Sequence, residues 1–302
     1  MAGVLAAAGR LADASRLPLY LVGGAVRDLL LGRSSIDLDL AAEGPADGVL
    51  EFAGRLSALP GWRLGASHRR FGTATLAAPD GLRVDLAAAR METYARPGAL
   101  PVVTGGAPIL EDLGRRDFTI HAMARRIGAD GSLGSLLDPF GGREDVLRRT
   151  IRLLHARSLV DDPTRAFRAV RYATRLGFGV DRSFWAALGL ARREGAFEAL
   201  SGDRFRRALE ELLGEDDFER VKSLLLRFEL LEDVCPGWVE GLRREISRKG
   251  RQRTAGEEPS GHVLASRWSS LLSSLSPSEK SAVAERLKFS RALRRAVGVP
   301  LG

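Results

Sequence analysis

The stretch LVGGAVRDLLLGRSSIDLDLA, Leu21–Ala41, joins a glycine pair, an Arg-Asp pair and two aspartates. The apolar run before Gly23-Gly24 predicts a strand and a turn, AVRDLLLG predicts a short helix, and IDLDLA predicts a second strand. Residues two apart on a strand share a face, so Asp37 and Asp39 are expected to project side by side. Charged groups among strand residues are costly to bury unless they are paired or bind a metal. The stretch therefore predicts an α/β unit with a polar site on its second strand.

This pattern favours the binding of a phosphate together with a metal ion. Two adjacent carboxylates suit a hard divalent cation such as Mg²⁺. The missing side chains at Gly23 and Gly24 let a phosphate approach the backbone, where the helix N-terminus and Arg27 add positive potential. Asp85, in the predicted strand LRVDLAAA, is a candidate third carboxylate. Together these parts are typical of phosphoryl or nucleotidyl transfer. Two simpler interpretations stay open, since Gly-Gly is often a tight turn and D-x-D is often two exposed residues on an edge strand.

The rest of the chain divides into an α/β part and an all-helical part. Helical periodicity is present at 4–15 and 48–59, and residues 71–89 predict a hairpin that turns at Pro79-Asp80-Gly81. After about residue 111 the pattern changes to amphipathic helices, predicted at 162–176, 182–192, 203–213, 216–227 and 278–296. Segment 248–260 predicts a polar linker. The predicted fold class is α/β plus all-α.

Composition limits the classes of protein and suggests a polyanionic partner. The 302 residues include one cysteine, which excludes an intramolecular disulfide and favours a reducing, cytoplasmic location. No apolar run is long enough to span a bilayer. The net charge is +8, and almost all of the excess lies after residue 110. Only four basic residues are lysine, and arginine suits phosphate contacts, although a GC-rich genome would give the same bias.

Further motifs complete a resemblance to a known family. GGAVRDLLLG followed by DLDL is similar to the signature of the bacterial class II tRNA nucleotidyltransferases (CCA-adding enzymes) and poly(A) polymerases. Four more segments resemble that family's later motifs in the same order: RRDFTIHAMA at 115–124, DPFGGREDVLRRTIRLLH at 138–155, DDPTRAFRAVRYATRLGF at 161–178 and SGDRFRRALEELL at 201–213. Five ordered motifs make a chance match improbable.

The resemblance implies a domain organisation and a set of roles. It implies a nucleotidyltransferase (polymerase-β-like) head with a mixed sheet at 1–150, a helical neck that recognises the nucleobase at 151–215 and a helical, RNA-binding body at 216–302. Asp37 and Asp39 would hold Mg²⁺ and act in catalysis with Asp85. The implied nucleotide-binding residues are Gly23, Gly24, Arg27, Asp28, Arg116, His121, Asp162, Arg165, Arg168 and Arg171. CTP and ATP would be the substrates and the 3′ end of tRNA the partner.

The residues of the neck also support this interpretation by their spacing. Asp162, Arg165, Arg168 and Arg171 recur every three residues, which predicts that they share one helix face. A carboxylate beside a guanidinium matches the amino group and ring nitrogen that cytosine and adenine both present. The alternatives are that Asp162 caps the helix ahead of Pro163 and that Arg168 and Arg171 form a solvated face.

The chain departs from the family pattern at two positions, one in the motif at 115–124 and one in the motif at 201–213. The family usually has asparagine where this chain has His121, and glutamate where it has Ala208. Segment 90–103 resembles the family's flexible loop, which suggests a lid, although an ordinary surface loop fits as well. Three functions stay open: CMP or AMP addition to the 3′ end of tRNA, poly(A) synthesis on other RNAs, and RNA binding by a protein with a degenerate head.

Overall fold

The computed structural model describes residues 1–34, 37–249 and 263–300, and its contacts divide the chain into two units. The first unit comprises residues 1–95 and 100–156, and the second comprises 96–99 and 157–302. The last residue of the first unit is Ala156, and the end of the head predicted at residue 150 stays a prediction. The predicted division of the second unit into neck and body at residue 215 remains a prediction.

The first unit is the α/β part. Its helices are α1 (Ala2–Ala14), α2 (Gly24–Leu30), α3 (Ala46–Ser57), α4 (Ile109–Gly114) and α5 (Gly142–Leu147). Its strands are β1 (Leu19–Val22), β2 (Asp37–Ala42), β3 (Arg63–His68), β4 (Thr73–Ala77), β5 (Arg83–Ala88), β6 (Arg90–Thr93), β7 (Val102–Gly105), β8 (Ala124–Ile127), β9 (Leu133–Leu137) and β10 (Thr150–Ile151).

Seven of these strands form one mixed sheet in the order β3-β4-β5-β2-β1-β8-β9. β2 and β5 are parallel, whereas the other neighbouring strands are antiparallel. β2 alternates as the sequence predicts, with Leu38 and Leu40 buried, Asp37 exposed and Asp39 half-buried. The mixed sheet predicted for the head is therefore confirmed, and the two aspartates share one of its faces.

Helices cover the two faces of the sheet differently. α3 packs against β3, β4 and β5 and buries its apolar side there. On the opposite face, Ile109 and Leu113 of α4 pack with Tyr20 and Val22 of β1, Ala41 of β2 and Ala124 of β8. Because α4 lies beside β2 on the face that carries Asp39, the residues that follow α4 reach that carboxylate.

The predicted hairpin is present as β4 and β5. Asp80 begins its turn by accepting a hydrogen bond from the Leu82 N–H at 3.2 Å, and Gly81 follows with a φ of +81°. The predicted flexible loop at 90–103 is different. Its ends pair as the antiparallel strands β6 and β7, so only residues 94–101 connect them.

The second unit is helical, as predicted. It contains α6 (Ser158–Asp161), α7 (Thr164–Leu176), the short strand β11 (Gly179–Val180), α8 (Arg182–Arg193), α9 (Gly202–Leu213), α10 (Phe218–Phe228), α11 (Trp238–Lys249), α12 (Val263–Leu272), α13 (Pro277–Arg286) and α14 (Arg291–Ala296). α7 packs against α9 and α10, with the Phe167 and Phe205 rings 5.0 Å apart. No helix in the described ranges is long and apolar enough to cross a membrane.

Two predictions about the helical part need comment. The single helix predicted at 278–296 is wrong, because α13 ends before Lys288, which has a φ of +53°. Ser290 then caps α14 by accepting a hydrogen bond from the Leu293 N–H. The linker predicted at 248–260 lies largely outside the described residues, and α11 extends to Lys249.

Candidate active site

The turn between β1 and α2 leaves no room for a side chain at Gly23. Gly23 has a φ of +67°, a conformation that favours glycine. A Cβ atom there would lie 2.8 Å from Arg116 Nη1 and 3.2 Å from Asp39 Oδ2. A Cβ on Gly24 would lie 3.4 Å from Arg27 Nη2 and 3.8 Å from Asp39 Oδ2. The glycine pair therefore brings bare backbone against a carboxylate and two guanidinium groups.

The three candidate catalytic carboxylates lie on adjacent positions of the sheet. Asp39 on β2 is directly paired with Asp85 on the parallel strand β5, and Asp37 is two residues before Asp39. Burial raises the pKa of Asp39, and the charges of Asp85 and Asp37 raise it further. Arg116 and the N–H group of Gly24 act in the opposite direction. A cation bound beside Asp39 would favour its ionised form and so offset the effect of burial and of the neighbouring carboxylates.

Asp85 is also held by neighbouring side chains. The Thr75 hydroxyl donates to Asp85 Oδ1 at 2.6 Å, and Arg83 Nε donates to Asp85 Oδ2 at 2.9 Å. Within the described residues, no group of three or more histidine, cysteine, aspartate and glutamate side chains is arranged as a ready metal site. Asp37 and Asp39 nevertheless fit Mg²⁺ by their chemistry, because carboxylate oxygens are the ligands that this ion prefers.

Arg116 is held beside Asp39 by a buried carboxylate. Asp112 on α4 is 1% exposed and accepts hydrogen bonds from Arg116 Nη2 at 2.9 Å and from Arg115 Nη2 at 2.7 Å. Burial alone would raise the pKa of Asp112, but the two guanidinium groups lower it below its ordinary value. Arg116 Nε is buried without a hydrogen-bond partner in the described part of the chain. Asp112 thus fixes a charged donor that is only partly satisfied.

His121 contacts Arg27. Arg27 Nη1 lies 2.7 Å from His121 Nε2, and His121 Nδ1 lies 3.0 Å from Asp117 Oδ1. An arginine only donates, so Nε2 must accept and Nδ1 must carry the proton that is donated to Asp117. Arg27 also forms an ion pair with Asp28 at 2.8 Å. The predicted residues Arg27, Asp28 and His121 therefore form one cluster, with His121 behind Arg27.

In the second unit, Asp162 lies just before α7 and is oriented by several donors. Its Oδ1 accepts hydrogen bonds from the Thr164 N–H at 3.0 Å, the Thr164 hydroxyl at 2.6 Å and Arg204 Nη2 at 3.0 Å. Arg204 Nη1 also donates to the carbonyl of Gly98. No hydrogen bond to Oδ2 occurs in the described residues. The alternative that Asp162 caps α7 is wrong, because the N-cap residue is Pro163; Asp162 instead accepts from the first residue of the helix and keeps an oxygen that can accept from a ligand.

The three arginines of α7 have different hydrogen-bond partners, and their role in one nucleotide pocket stays a prediction. Each three-residue step turns a helix by about 300°, and two steps separate Arg165 from Arg171 by about 120°. Arg165 is buried and donates to the Ser158 hydroxyl at 2.6 Å. Arg168 donates to the Tyr172 hydroxyl at 3.1 Å. Arg171 Nε donates to buried Glu215 at 2.9 Å, which favours a structural role for that arginine.

Sequence reasoning missed the residues that hold the predicted ones in place: Thr75, Asp112, Asp117, Ser158 and Arg204. Asp117 and Arg204 lie inside the quoted motifs, but their roles become clear only from the residues with which they pair in the structure.

The carboxylates nearest to Ala208 do not replace the family glutamate. Glu210 pairs with Arg206 at 2.8 Å and Glu211 with Arg171 at 2.7 Å.

Comparison with known proteins agrees with this arrangement. Residues 19–152 match the poly A polymerase head domain. The A-adding tRNA nucleotidyltransferase of Geobacter sulfurreducens is 45% identical over 217 residues, which are 72% of this chain and 24% of that protein. The CCA-adding enzyme of Pseudomonas putida is 32% identical over 90% of this chain and 69% of its own length.

Solved structures agree over almost the whole chain. An apo CCA-adding enzyme superimposes with a TM-score of 0.79 and 32% identity, covering 98% of this chain and 70% of the other. The Thermotoga maritima CCA-adding enzyme complexed with tRNA gives a TM-score of 0.71 and 31% identity, with 98% and 68% covered. The fold and the site define a nucleotidyltransferase head followed by helices. The chain belongs to the family of bacterial tRNA nucleotidyltransferases and poly(A) polymerases, and it spans less than half of the length of several relatives in that family.

Proposed function

We propose that this protein is a template-independent RNA nucleotidyltransferase that transfers AMP or CMP from ATP or CTP to the 3′ end of tRNA. The observation that carries the proposal is the convergence of Asp39 and Asp85 with the glycine turn, Arg27 and Arg116. Such a site joins carboxylates for a metal to bare backbone and cations for a triphosphate.

Asp37 and Asp39 would hold Mg²⁺, and the raised pKa of Asp39, caused by burial and by its two neighbouring carboxylates, supports that role. When bound, the ion neutralises phosphate charge and makes the RNA 3′-hydroxyl a better nucleophile. Arg27 and Arg116 bind the triphosphate, with Arg116 kept in place by Asp112. Asp85, oriented by Thr75, completes the negative surface that faces the attacking hydroxyl.

Asp162 and Arg165 provide the means to choose a base without a template. Cytosine and adenine present an amino donor beside a ring-nitrogen acceptor, and uracil and guanine present the reverse. An ionised carboxylate only accepts and a guanidinium only donates. With Oδ1 of Asp162 held by Arg204 and Thr164, Oδ2 accepts from the amino group of cytosine or adenine.

The experiment is incorporation of each labelled nucleoside triphosphate, alone and combined, into tRNA that lacks CCA or only the terminal A. A relative named for A addition and a relative named for CC addition are each 45% identical to this chain, over 217 and 158 residues, so the experiment has to distinguish AMP from CMP addition. Addition that stops after one to three nucleotides supports tRNA 3′-end maturation, and repeated AMP addition to any RNA supports poly(A) synthesis. No incorporation of any nucleotide contradicts the proposal.

The selectivity of Asp162→Ala tests the base-recognition step separately. We expect discrimination against UTP and GTP to fall by more than triphosphate affinity does, because the phosphates are held by residues of the first unit. A mismatched buried polar group costs about 1–3 kcal/mol, which is roughly 5- to 150-fold in selectivity. If a folded Asp162→Ala protein keeps the selectivity of the wild type, Asp162 serves only the turn before α7.

A further inference from the structure

The face of the sheet that carries the carboxylates continues beyond Asp85 to the edge strand. Asp85 pairs with Thr75 on β4, and the hydrogen bond between them confirms that they share a face. Directly paired residues of neighbouring strands lie on the same face. On the edge strand β3, Arg63 pairs with Ala77 and His68 pairs with Thr73. Arg63 and His68 therefore lie on the face that carries Asp85.

Apart from Arg83, whose guanidinium is bound to Asp85, the surface between the carboxylates and that edge is built from small side chains. It is formed by Thr73, Thr75 and Ala77 of β4 and Ala87 of β5, all of them half-buried. The helix that covers this face over β1 and β2, α4, packs on Tyr20, Val22 and Ala41. Two inter-strand spacings, about 10 Å, separate β5 from β3. The result is a shallow floor that leads from Asp85 to β3.

Beyond this floor, the edge strand β3 carries exposed Arg63 and His68. The turn that follows β3 contacts α3 and carries exposed Arg70 and Phe71, and we call these four residues the β3 edge. Phe71 is 44% exposed, and the Arg70 guanidinium lies 5.6 Å from its ring centre. Neither Arg63 nor Arg70 forms an ion pair within the described residues. Arg69, between them in the chain, is paired with Asp47 at 2.9 Å. No carboxylate among the described residues therefore neutralises Arg63 or Arg70, whereas Arg69 is neutralised by Asp47.

We propose that the floor and the β3 edge bind the single-stranded 3′ segment of the acceptor RNA. The inference rests on the proposed function and names where its polymeric substrate lies on the first unit. The 3′-hydroxyl of the RNA has to reach Asp39 and Asp85. The preceding nucleotides must therefore lie on a neighbouring surface that is open and does not repel their phosphates. Small floor residues admit a ribose–phosphate backbone, unpaired arginines match its charge, and an exposed aromatic ring gives a base a surface on which to stack.

The test compares Arg63→Gln, Arg70→Gln and Phe71→Ala with the matched control Arg69→Gln, which removes an equal charge from a paired arginine beside Arg70. KM and kcat are measured for tRNA lacking its terminal A, for a short single-stranded RNA ending in CC, and for ATP. Affinity for the same short RNA is measured by fluorescence anisotropy across a range of salt concentrations. Thermal melting verifies that each variant is folded.

We expect Arg63→Gln and Arg70→Gln to raise KM for both RNAs and to leave KM for ATP unchanged. The salt slope of RNA affinity should fall by about 0.7 for each phosphate that a variant no longer neutralises. Phe71→Ala should weaken RNA affinity by at least about 5-fold, the lower end of the range for a stacked base. The control variant should match the wild type in every measurement.

RNA affinities and KM values equal to those of Arg69→Gln would overturn the proposal while leaving nucleotidyl transfer intact. A wild type that incorporates no nucleotide would contradict the proposed function instead. The anisotropy measurement still decides the RNA site in that case, because it requires no catalysis.

Discussion

Replacing Gly23 by alanine tests the geometry of the candidate site most selectively, because the chain contains a matched control. Gly23 and Gly32 flank the same short helix and have nearly equal φ angles, +67° and +65°. A Cβ at Gly32 would meet no atom within 4 Å, whereas a Cβ at Gly23 would crowd Arg116 and Asp39. The two substitutions therefore share backbone strain and differ in what the new methyl group displaces.

The expected sizes follow from those contacts. A positive φ costs an L-residue about 1–2 kcal/mol, which predicts a fall in melting temperature of about 2–8 °C for each variant. At Gly23 the Arg116 nitrogen must also retreat from 2.8 Å to at least 3.4 Å, the start of ordinary contact. Misplacing a substrate-positioning group by about 1 Å can cost about 100-fold. We expect kcat/KM to fall by about 100-fold in Gly23→Ala and by no more than a few-fold in Gly32→Ala.

The assay is AMP and CMP incorporation at saturating tRNA, together with thermal melting of both variants. Gly24→Ala adds an intermediate point, because its Cβ would meet Arg27 Nη2 at an ordinary 3.4 Å and displace no protein atom, so that a loss of activity would report the space needed by the phosphate. Equal activities for Gly23→Ala and Gly32→Ala would refute the reasoning, since the close approach of Arg116 and Asp39 to the turn would then have no role in binding or catalysis.

Three further substitutions test the electrostatics and the support of the site. Asp39→Asn should raise the melting temperature at neutral pH without metal, because the raised pKa of Asp39 means that its ionised form destabilises the fold. The gain should vanish on acidification, and an unchanged or lower melting temperature at neutral pH would contradict this. Asp112→Asn should cost about 3 kcal/mol at neutral pH. Because the pKa of Asp112 is lowered, its contribution is present above the ordinary carboxyl range and lost below it, so chemical unfolding at pH 7 and pH 3 should show the difference shrinking. His121→Ala removes the hydrogen-bond acceptor for Arg27 and should raise KM for ATP more than it lowers kcat, and His121→Asn should restore much of the loss. Equal kinetics for the wild type and His121→Ala would mean that His121 does not support Arg27 in binding ATP.

Local features of the sequence predicted much of the head. The glycine turn, α2, the alternation in β2 and the β4–β5 hairpin all follow from patterns within about 20 residues. The order of strands does not, because β1 pairs with β8 about 100 residues later in the chain. For the same reason the approach of Arg116 to Asp39 was expected only from the family resemblance, and its support by Asp112 was missed.

In the helical part, the sequence predicted where the helices lie but not which residues they contact. Periodicity located α7 to α10 to within about two residues, but it did not reveal which partners the arginines of α7 would find. Arg165 and Arg171 contact different neighbours because three-residue spacing drifts around a helix. The break before α14 had a local signal in Ser290, a good N-cap residue, which the longer apolar pattern concealed.

The most direct test of the account is single-turnover incorporation of AMP and of CMP into tRNA that lacks the matching 3′ nucleotides, with Mg²⁺, by the wild type and by Asp39→Ala. The account predicts incorporation by the wild type, a loss of several orders of magnitude in the variant, and a melting temperature for the metal-free variant no lower than that of the wild type. Incorporation by a folded Asp39→Ala protein at a rate near that of the wild type would contradict it.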